Sequence, residues 1–456
     1  MKWTAEQIVK ITGGCLIQGE SDTVIEKFTT DSRQVAAGSF FIPLKGPRFD
    51  GQQFIENASQ EGAIGYFKTP GIEVGANGIC IEVEDPLTAL QKIAKEVRNR
   101  FKGPVVAITG SNGKTTTKEM LSSILTEKYP ILKSEGNFNN HIGLPLTLLN
   151  LKEEHRVILL EMGINHAGEL RVLCEIARPT LGLITSIGET HLEGLGSIEG
   201  VAEAKGELLD FLHDGIAVLN RDSPFFSRLK SRQKGKAISF GLQEGADIRG
   251  VGLASEPGGV SFAFVYQKNE YPVHLSVSGS HNVLNALGAT GAALMLGCFP
   301  EEIVSGLTRF TSVPLRSETI YLGNSIKVIA DAYNANPSSM KAALEMLADM
   351  GREEKRISIA ILGDMLELGS SSENAHYQLG QRVSKLKIDR LLLYGSESKN
   401  IRKGAIDSGY PADAVALFST HESIANEAKK FFQEKPVILI KGSRGMKMEK
   451  VLEYLK

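Results

Sequence analysis

The chain has little cysteine, no excess of either charge and no long apolar run, and each deficit removes a class of function. Cys15, Cys80, Cys174 and Cys298 stand far apart with no Cys-x-x-Cys pair. Neither a disulfide framework nor a zinc site is indicated, and a reducing compartment is expected. Lysines and arginines number 51 against 53 acidic residues, a net charge of -2. Because the charges are scattered, there is no electrostatic footprint for nucleic acid or an anionic membrane, and small molecules are the expected partners. No stretch approaches the roughly 18 apolar residues that span a bilayer. The opening MKWTAEQIVKITGG lacks the apolar centre of a signal peptide. The expectation is a cytoplasmic protein, without membrane insertion and monomeric. No internal repeat or low-complexity segment is present.

What is there is length and alternation. A chain of 456 residues, 42% hydrophobic, can build two or three cores. The first stretch mixes short strand-like runs, such as Ser39 to Leu44, with turn clusters around Gly46 to Gly51. A charged helix from Pro86 to Phe101 leads into the next unit. From Val105, apolar strands alternate with helical stretches: VVAIT, Lys114 to Tyr129, VILLE, Ala167 to Ala177, LGLITS, Ile198 to Leu212, AVLN. That order predicts a parallel sheet with helices on its faces. Residues 240–278, with alternating strands and Gly-rich turns, predict an antiparallel excursion. After Pro314 the alternation resumes through IKVIAD, ISIAILGD, RLLLYG and VILIKG. The expected fold is α/β in three domains: a small α/β unit at 1–85, a central ATP-binding unit with a mostly parallel sheet at 86–313, and a Rossmann-like α/β unit at 314–456.

The segment VVAITGSNGKTTTKEML runs from a continuous apolar strand through Gly110 and Gly113 into Lys114 and Thr115 at a helix start. Glycines let backbone N–H groups close around phosphate oxygens, and the helix N-terminus adds partial positive charge. Lys114 supplies a point charge and the Thr115 hydroxyl can ligate magnesium. Ile108 occupies the place of the first glycine of the longer phosphate-loop spacing, so the loop, Thr109 to Thr116 with Ser111 and Asn112 at its tip, is of the shorter Gly-x-x-Gly-Lys-Thr type.

Glu161 ends the strand VILLE, where a parallel sheet presents side chains to the crevice at its carboxyl edge. It is a candidate magnesium ligand or a solvated strand-end carboxylate. His191, in the loop after the next strand, is expected at the same edge, or is a surface residue. Lys205 falls within the apolar stripe formed by Ile198, Val201, Ala202, Leu208, Leu209 and Leu212. Burial lowers an ammonium's pKa, so a neutral amine could react with carbon dioxide to give a metal-binding carbamate. A lysine that snorkels from a half-buried face is the alternative.

With these residues in place, the chain resembles the Mur ligase family along essentially its whole length. The ordered signature is TGSNGKT, EGNFNNHIGLPLTLL, LLEMG, THLEGLGS and AEAKGELL. The segments DAYNANPSSMKAAL, ILGDMLELG and LIKGSRGMKME are similar to those of the member that adds D-alanyl-D-alanine to UDP-N-acetylmuramoyl-tripeptide in peptidoglycan precursor synthesis. TTDSR and SFFIPLKGPRFDGQQF resemble the family's UDP-binding domain. The resemblance implies that ATP phosphorylates the terminal carboxylate of the tripeptide and the dipeptide amine attacks the acyl-phosphate. It implies Thr115, Glu161, His191 and a carbamylated Lys205 around Mg2+. Asn282, Arg316 and Asp331 match positions for adenine, phosphates and ribose. Asn139 and Asn140 match positions beside the peptide, and Ser32, Arg33, Lys45 and Arg48 positions at the UDP-sugar. Leu315 stands where the family often has Gly. From the residues alone, Asn282 could equally be a helix cap, Arg316 a linker charge, and Asp331 or the asparagine pair turn formers. The phosphate loop alone would also serve a nucleotide-dependent switch that makes no new bond, and a folate-type ligase is the rival within the same chemistry.

Overall fold

Strands that are apolar on both faces must be covered on both faces, and that requirement organises the molecule. The computed structural model describes every residue except Pro47, Arg48, Pro257 and Asn324. Its central sheet has nine strands in the order Ile131–Lys133, Val157–Glu161, Val105–Thr109, Leu181–Ile184, Ile216–Asn220, Lys236–Gly241, Ile248–Glu256, Gly259–Tyr266 and Asn269–Leu275. Pairing is parallel up to Ile248–Glu256 and antiparallel for the last two pairings. The expected excursion at 240–278 is therefore corrected: those strands extend the central sheet. Their backbone groups pair with what would otherwise be an open edge of that sheet. The helix expected to reach Tyr129 ends at Leu125.

The third sheet orders its strands Glu318–Leu322, Ile326–Asp331, Val437–Lys441, Ser358–Gly363, Arg390–Tyr394 and Val415–Phe418, parallel apart from the antiparallel first strand. The first 85 residues hold a five-stranded sheet in which Ser39–Phe41, Gly65–Lys68 and Ile79–Glu82 are neighbours, and a two-stranded ribbon of Lys45–Gly46 with Phe49–Asp50. No helix of the described residues is long and apolar enough to cross a membrane.

The helix Pro86–Arg100 joins the first sheet to the central one. Asp85 caps it by accepting from the backbone N–H of Leu87 (3.3 Å) and Thr88 (2.9 Å), and Pro86 occupies its first turn. Its buried Leu90, Ile93 and Val97 belong to one continuous core that runs from Trp3 and Phe40 to Ile158 and Leu160. Near its end, buried Arg98 donates to the carbonyls of Ala177 (2.6 Å), Arg178 (2.7 Å) and Phe101 (2.9 Å). Two of those carbonyls close the helix Glu169–Ala177, whose last C=O groups have no partner within the helix. Arg98→Leu should leave them unpaired in an apolar setting. It is expected to lower unfolding stability by about 3 kcal/mol, read from the denaturant midpoint; an unchanged midpoint would mean that water replaces the guanidinium.

Candidate active site

The phosphate loop takes its shape from two glycines that nothing else could replace. Gly110 has φ 147°, and a Cβ there would lie 1.9 Å from the Thr185 hydroxyl; Gly113 has φ 81°, and a Cβ there would lie 2.1 Å from the Asn285 amide oxygen. The loop is pinned to the segment after Leu181–Ile184 through Ser111 N–H to Ser186 O (2.8 Å) and Asn112 N–H to the Ser186 hydroxyl (3.0 Å). Lys114 opens the helix Lys114–Leu125 and folds its ammonium back onto the Gly110 carbonyl at 2.8 Å. Burial lowers its pKa, with Arg316 acting the same way and Glu161 opposing.

Glu161 is 2% exposed at the carboxyl end of its strand. Its two oxygens accept from the Thr115 hydroxyl at 2.7 Å and the Asn139 amide at 2.9 Å. His191 stands in the left-handed region with φ 52°, and its Nδ1 lies 2.6 Å from Glu367 Oε2 of the third-sheet unit. Lys205 is 1% exposed in the helix Ile198–Asp210, so the snorkelling alternative does not apply. Desolvation first, and then the Lys114 charge, hold its pKa well below the ordinary lysine value, and no neighbouring acid opposes them.

Lys114, Asn139, Glu161 and His191 face a cavity of about 500 Å³ lined from both sides. The central unit supplies Lys114, Thr116, Asn139, Asn140, Glu161 and His191. His281 and Asn282 contribute at the start of the helix Ser280–Met295. The third-sheet unit supplies Arg316, Asp331, Tyr333 and Lys441. Asp331 is ion-paired with buried Lys441 and accepts from Ser317 N–H at 3.1 Å. Arg316 stacks over the Tyr333 ring at 3.9 Å. Leu315 has φ 60°, which is why a glycine suits that position; here a leucine bears the strain while anchored against the third core. Asn282 donates to Ser278 O (2.8 Å) and Asn140 caps the N–H groups of Ile142 (3.1 Å) and Gly143 (2.8 Å), so both also serve local turns.

Not every expected residue comes to this cavity. Thr109, Gly110, Thr115 and Lys205 are not among its lining, although Thr115 reaches it through Glu161. Arg33 forks onto Asp31 at 2.9 and 2.8 Å in the first domain, Ser32 sits in the same short 3-10 turn, and Lys45 lies on the two-stranded ribbon; none lines the cavity. Arg48 lies outside the described residues. Conversely, Lys441, His281, Tyr333 and Glu367 went unremarked in the sequence. A lone lysine closing the apolar run VILIK was the one available signal, because it repeats the way Glu161 closes VILLE. A larger concavity of about 810 Å³ lies at the opposite sheet edge, around Pro104, Leu181 and Ile216. Lys95, Glu175, Arg178 and Asp214 stand around it, but none of the phosphate-loop residues and no side-chain amide does.

The sequence matches family models for the Mur ligase family catalytic domain over residues 24–98, the Mur ligase middle domain over 108–293 and the Mur ligase glutamate ligase domain over 315–444. It is 36% identical to a UDP-N-acetylmuramoyl-tripeptide–D-alanyl-D-alanine ligase of Bacillus subtilis, covering 100% of this chain and 98% of that one. The Escherichia coli ligase of the same name is 34% identical, over 99% of this chain and 98% of that one. Among solved structures, MurF from Acinetobacter baumannii superposes with TM-score 0.92 at 32% identity, over 100% of this chain and 99% of that one. MurF from Thermotoga maritima in complex with ADP superposes with TM-score 0.83 at 29% identity, over 94% and 97%. Full-length identity of this degree, on a phosphate loop and a sheet-edge carboxylate that the fold brings together, establishes that the chain belongs to the Mur ligase family.

Proposed function

We propose that this protein is an ATP-dependent ligase that joins D-alanyl-D-alanine to UDP-N-acetylmuramoyl-tripeptide through an acyl-phosphate, in cytoplasmic peptidoglycan precursor synthesis. The observation that carries the chemistry is the Thr115–Glu161 hydrogen bond of 2.7 Å, which ties the phosphate loop to a carboxylate in the wall of a cavity that the third domain also lines. The full-length likeness to ligases of that name carries the choice of substrates.

In this reading the loop N–H groups and Lys114 hold the nucleotide phosphates, and the Arg316 guanidinium approaches them from the opposite wall. Asn282 and His281 face the base, and Asp331, steadied by Lys441, faces the ribose. Asn139 holds Glu161 in place and Asn140 shapes the wall beside the peptide. Ser32, Arg33, Lys45 and Arg48 serve the UDP-sugar in the first domain, taken as 1–85, with the central unit as 86–313 and the third as 314–456. Enclosure keeps water from the acyl-phosphate until the dipeptide amine arrives. This reading assigns every role to residues of one chain and takes the protein as a monomer.

The donor set suits magnesium. One carboxylate and one hydroxyl, both hard oxygen donors, stand in direct contact, and among the described residues there is no cluster of three acidic, His or Cys side chains. Magnesium is bound in this way, by one or two carboxylates plus substrate phosphates rather than an all-protein cage. Thr115, Glu161 and His191 would hold it, and when bound it would offset charge on the transferring phosphoryl group. Lys205, buried and with no acid raising its pKa, is placed to exist as the free amine. Its lone pair would add to carbon dioxide, releasing one proton and leaving a carbamate as a further oxygen donor.

Two outcomes are expected. Phosphate release from ATP should require both the UDP-linked tripeptide and D-alanyl-D-alanine; equal release with the dipeptide omitted would support a nucleotide switch instead. Running the assay with lysine- and diaminopimelate-containing tripeptides in turn identifies the third residue. Lys205→Ala should lose most activity, bicarbonate should not restore it, and protein exposed to isotope-labelled bicarbonate should show a carbamate carbon signal that the variant lacks. Near-normal turnover by the variant would make Lys205 a structural residue.

A further inference from the structure

The third-sheet unit touches the central one at two separate places on the rim of the cavity. At the phosphate loop, the Asn336 amide donates to Asn112 Oδ1 at 2.7 Å and the Asn112 amide donates to the Ser338 hydroxyl at 2.8 Å. Asn336 caps the helix Pro337–Glu354, so this contact is built from a helix start. Across the cavity, the segment that follows Ser358–Gly363 lies against the short helix Leu192–Leu195. There Glu193 N–H donates to Glu367 O at 3.4 Å, and a Cβ on Gly369 would rest 3.6 Å from Glu193 Cα. Within this second contact lies the His191–Glu367 pair at 2.6 Å.

Both members of that pair carry left-handed backbone, with φ 52° at His191 and 63° at Glu367, a conformation that costs free energy in residues other than glycine. Two strained residues from different units meeting side chain to side chain is an arrangement that the surrounding structure has to impose. The His191 side chain is 19% exposed and the Glu367 side chain 56% exposed. A polar pair that open to solvent adds little stability, so it does not hold the two units together by itself. What it does fix is the ring. An ionised carboxylate can only accept, so it holds the Nδ1–H of the ring, and the ring in its neutral form then turns the Nε2 lone pair away from Glu367.

We infer that Glu367 is a positioning residue: it sets the orientation of the His191 imidazole for a divalent cation, and it does so only while the third domain is closed on the phosphate loop. This rests on the ligase reading given above for the same cavity. Histidine ligands commonly donate their second ring N–H to a carboxylate, and loss of that partner typically costs 10–100-fold in metal affinity. Here the partner belongs to another domain, 176 residues further along the chain, which ties cation binding to closure. The Asn112 contact engages the nucleotide loop in the same motion, so the two halves of the site would be organised together.

The test is Mn2+ binding to the full-length protein with ADP present, followed by electron paramagnetic resonance, for the unaltered protein, Glu367→Ala and Glu367→Gln. Glu367→Ala should weaken Mn2+ binding about 10–100-fold with an unchanged melting temperature. Glu367→Gln, whose amide oxygen can accept the same hydrogen bond, should recover most of the loss. Raised Mg2+ should restore turnover to Glu367→Ala, as expected when affinity and not the chemical step is damaged. Equal Mn2+ affinity in Glu367→Ala and the unaltered protein would overturn the proposal, as would a Glu367→Gln variant no better than Glu367→Ala. Dipeptide-dependent phosphate release by the unaltered protein, measured in the same preparations, reports separately on the ligase reading.

Discussion

The register between two neighbouring parallel strands governs this site. Val105–Thr109 pairs with Val157–Glu161 so that Ile108 faces Glu161, which leaves the phosphate loop and the Glu161 carboxylate emerging side by side at one sheet edge. Because side chains alternate along a strand, a slip of one residue would turn Glu161 to the opposite face and break its bond with Thr115. Burying that carboxylate costs several kcal/mol. The two hydrogen bonds it accepts, from Thr115 and Asn139, return roughly 1.5–3 kcal/mol each as bonds to a charged group. The nearby Lys114 ammonium adds attraction, since Glu161 is the one influence that raises its pKa. The carboxylate is thus held in place by groups of the phosphate loop and of the Asn139 turn, so the fold at this edge and the shape of the loop depend on the same residues.

Parts of this arrangement could be read directly from the sequence because the determinants are local. The loop from Gly110 to Thr115 announces itself through consecutive residues: an apolar strand, two glycines that must adopt positive φ, then a lysine and threonine at a helix start. Glu161 and His191 were legible through a rule rather than a motif, since residues that end successive parallel strands gather at one edge. Lys205 was legible as a charge inside an apolar stripe, but helical spacing left a snorkelling lysine open, and only the folded chain shows it buried. The third-domain assignments came by a different route, through resemblance, because nothing local distinguishes Arg316 or Asp331 from a linker charge and a turn former.

What escaped the sequence has a common physical character. Lys441 and Asp331 lie 110 residues apart, and Glu367 lies 176 residues from His191. Each pair exists only because the third domain folds and docks as it does. Periodicity reports which face of an element is buried, but it carries no information about which distant polar group will satisfy a given one. The strands between 248 and 275 show the same limit in another form. Their alternation correctly indicated antiparallel pairing, yet whether they stood apart or continued the central sheet depended on an open strand edge that a one-dimensional pattern does not display.

Four lysines are buried among the described residues outside the phosphate loop, and comparing them isolates Lys205. Lys118 reaches Glu119 and the Ser134 carbonyl, Lys327 pairs with Glu354, and Lys441 pairs with Asp331. Each of these three ammonium groups has an acid beside it, the usual condition for a charge to survive burial. Lys205 is as buried as any of them, yet the influences acting on it, desolvation and the Lys114 cation, both disfavour its charge. A protein that needed only to fill space in the helix Ile198–Asp210 would do so at lower cost with leucine or methionine. Both influences push Lys205 towards the free amine, the form of lysine that reacts with carbon dioxide. In the ligase reading proposed above, carbon dioxide would convert that amine into a carbamate, an anion that the neighbouring Lys114 attracts.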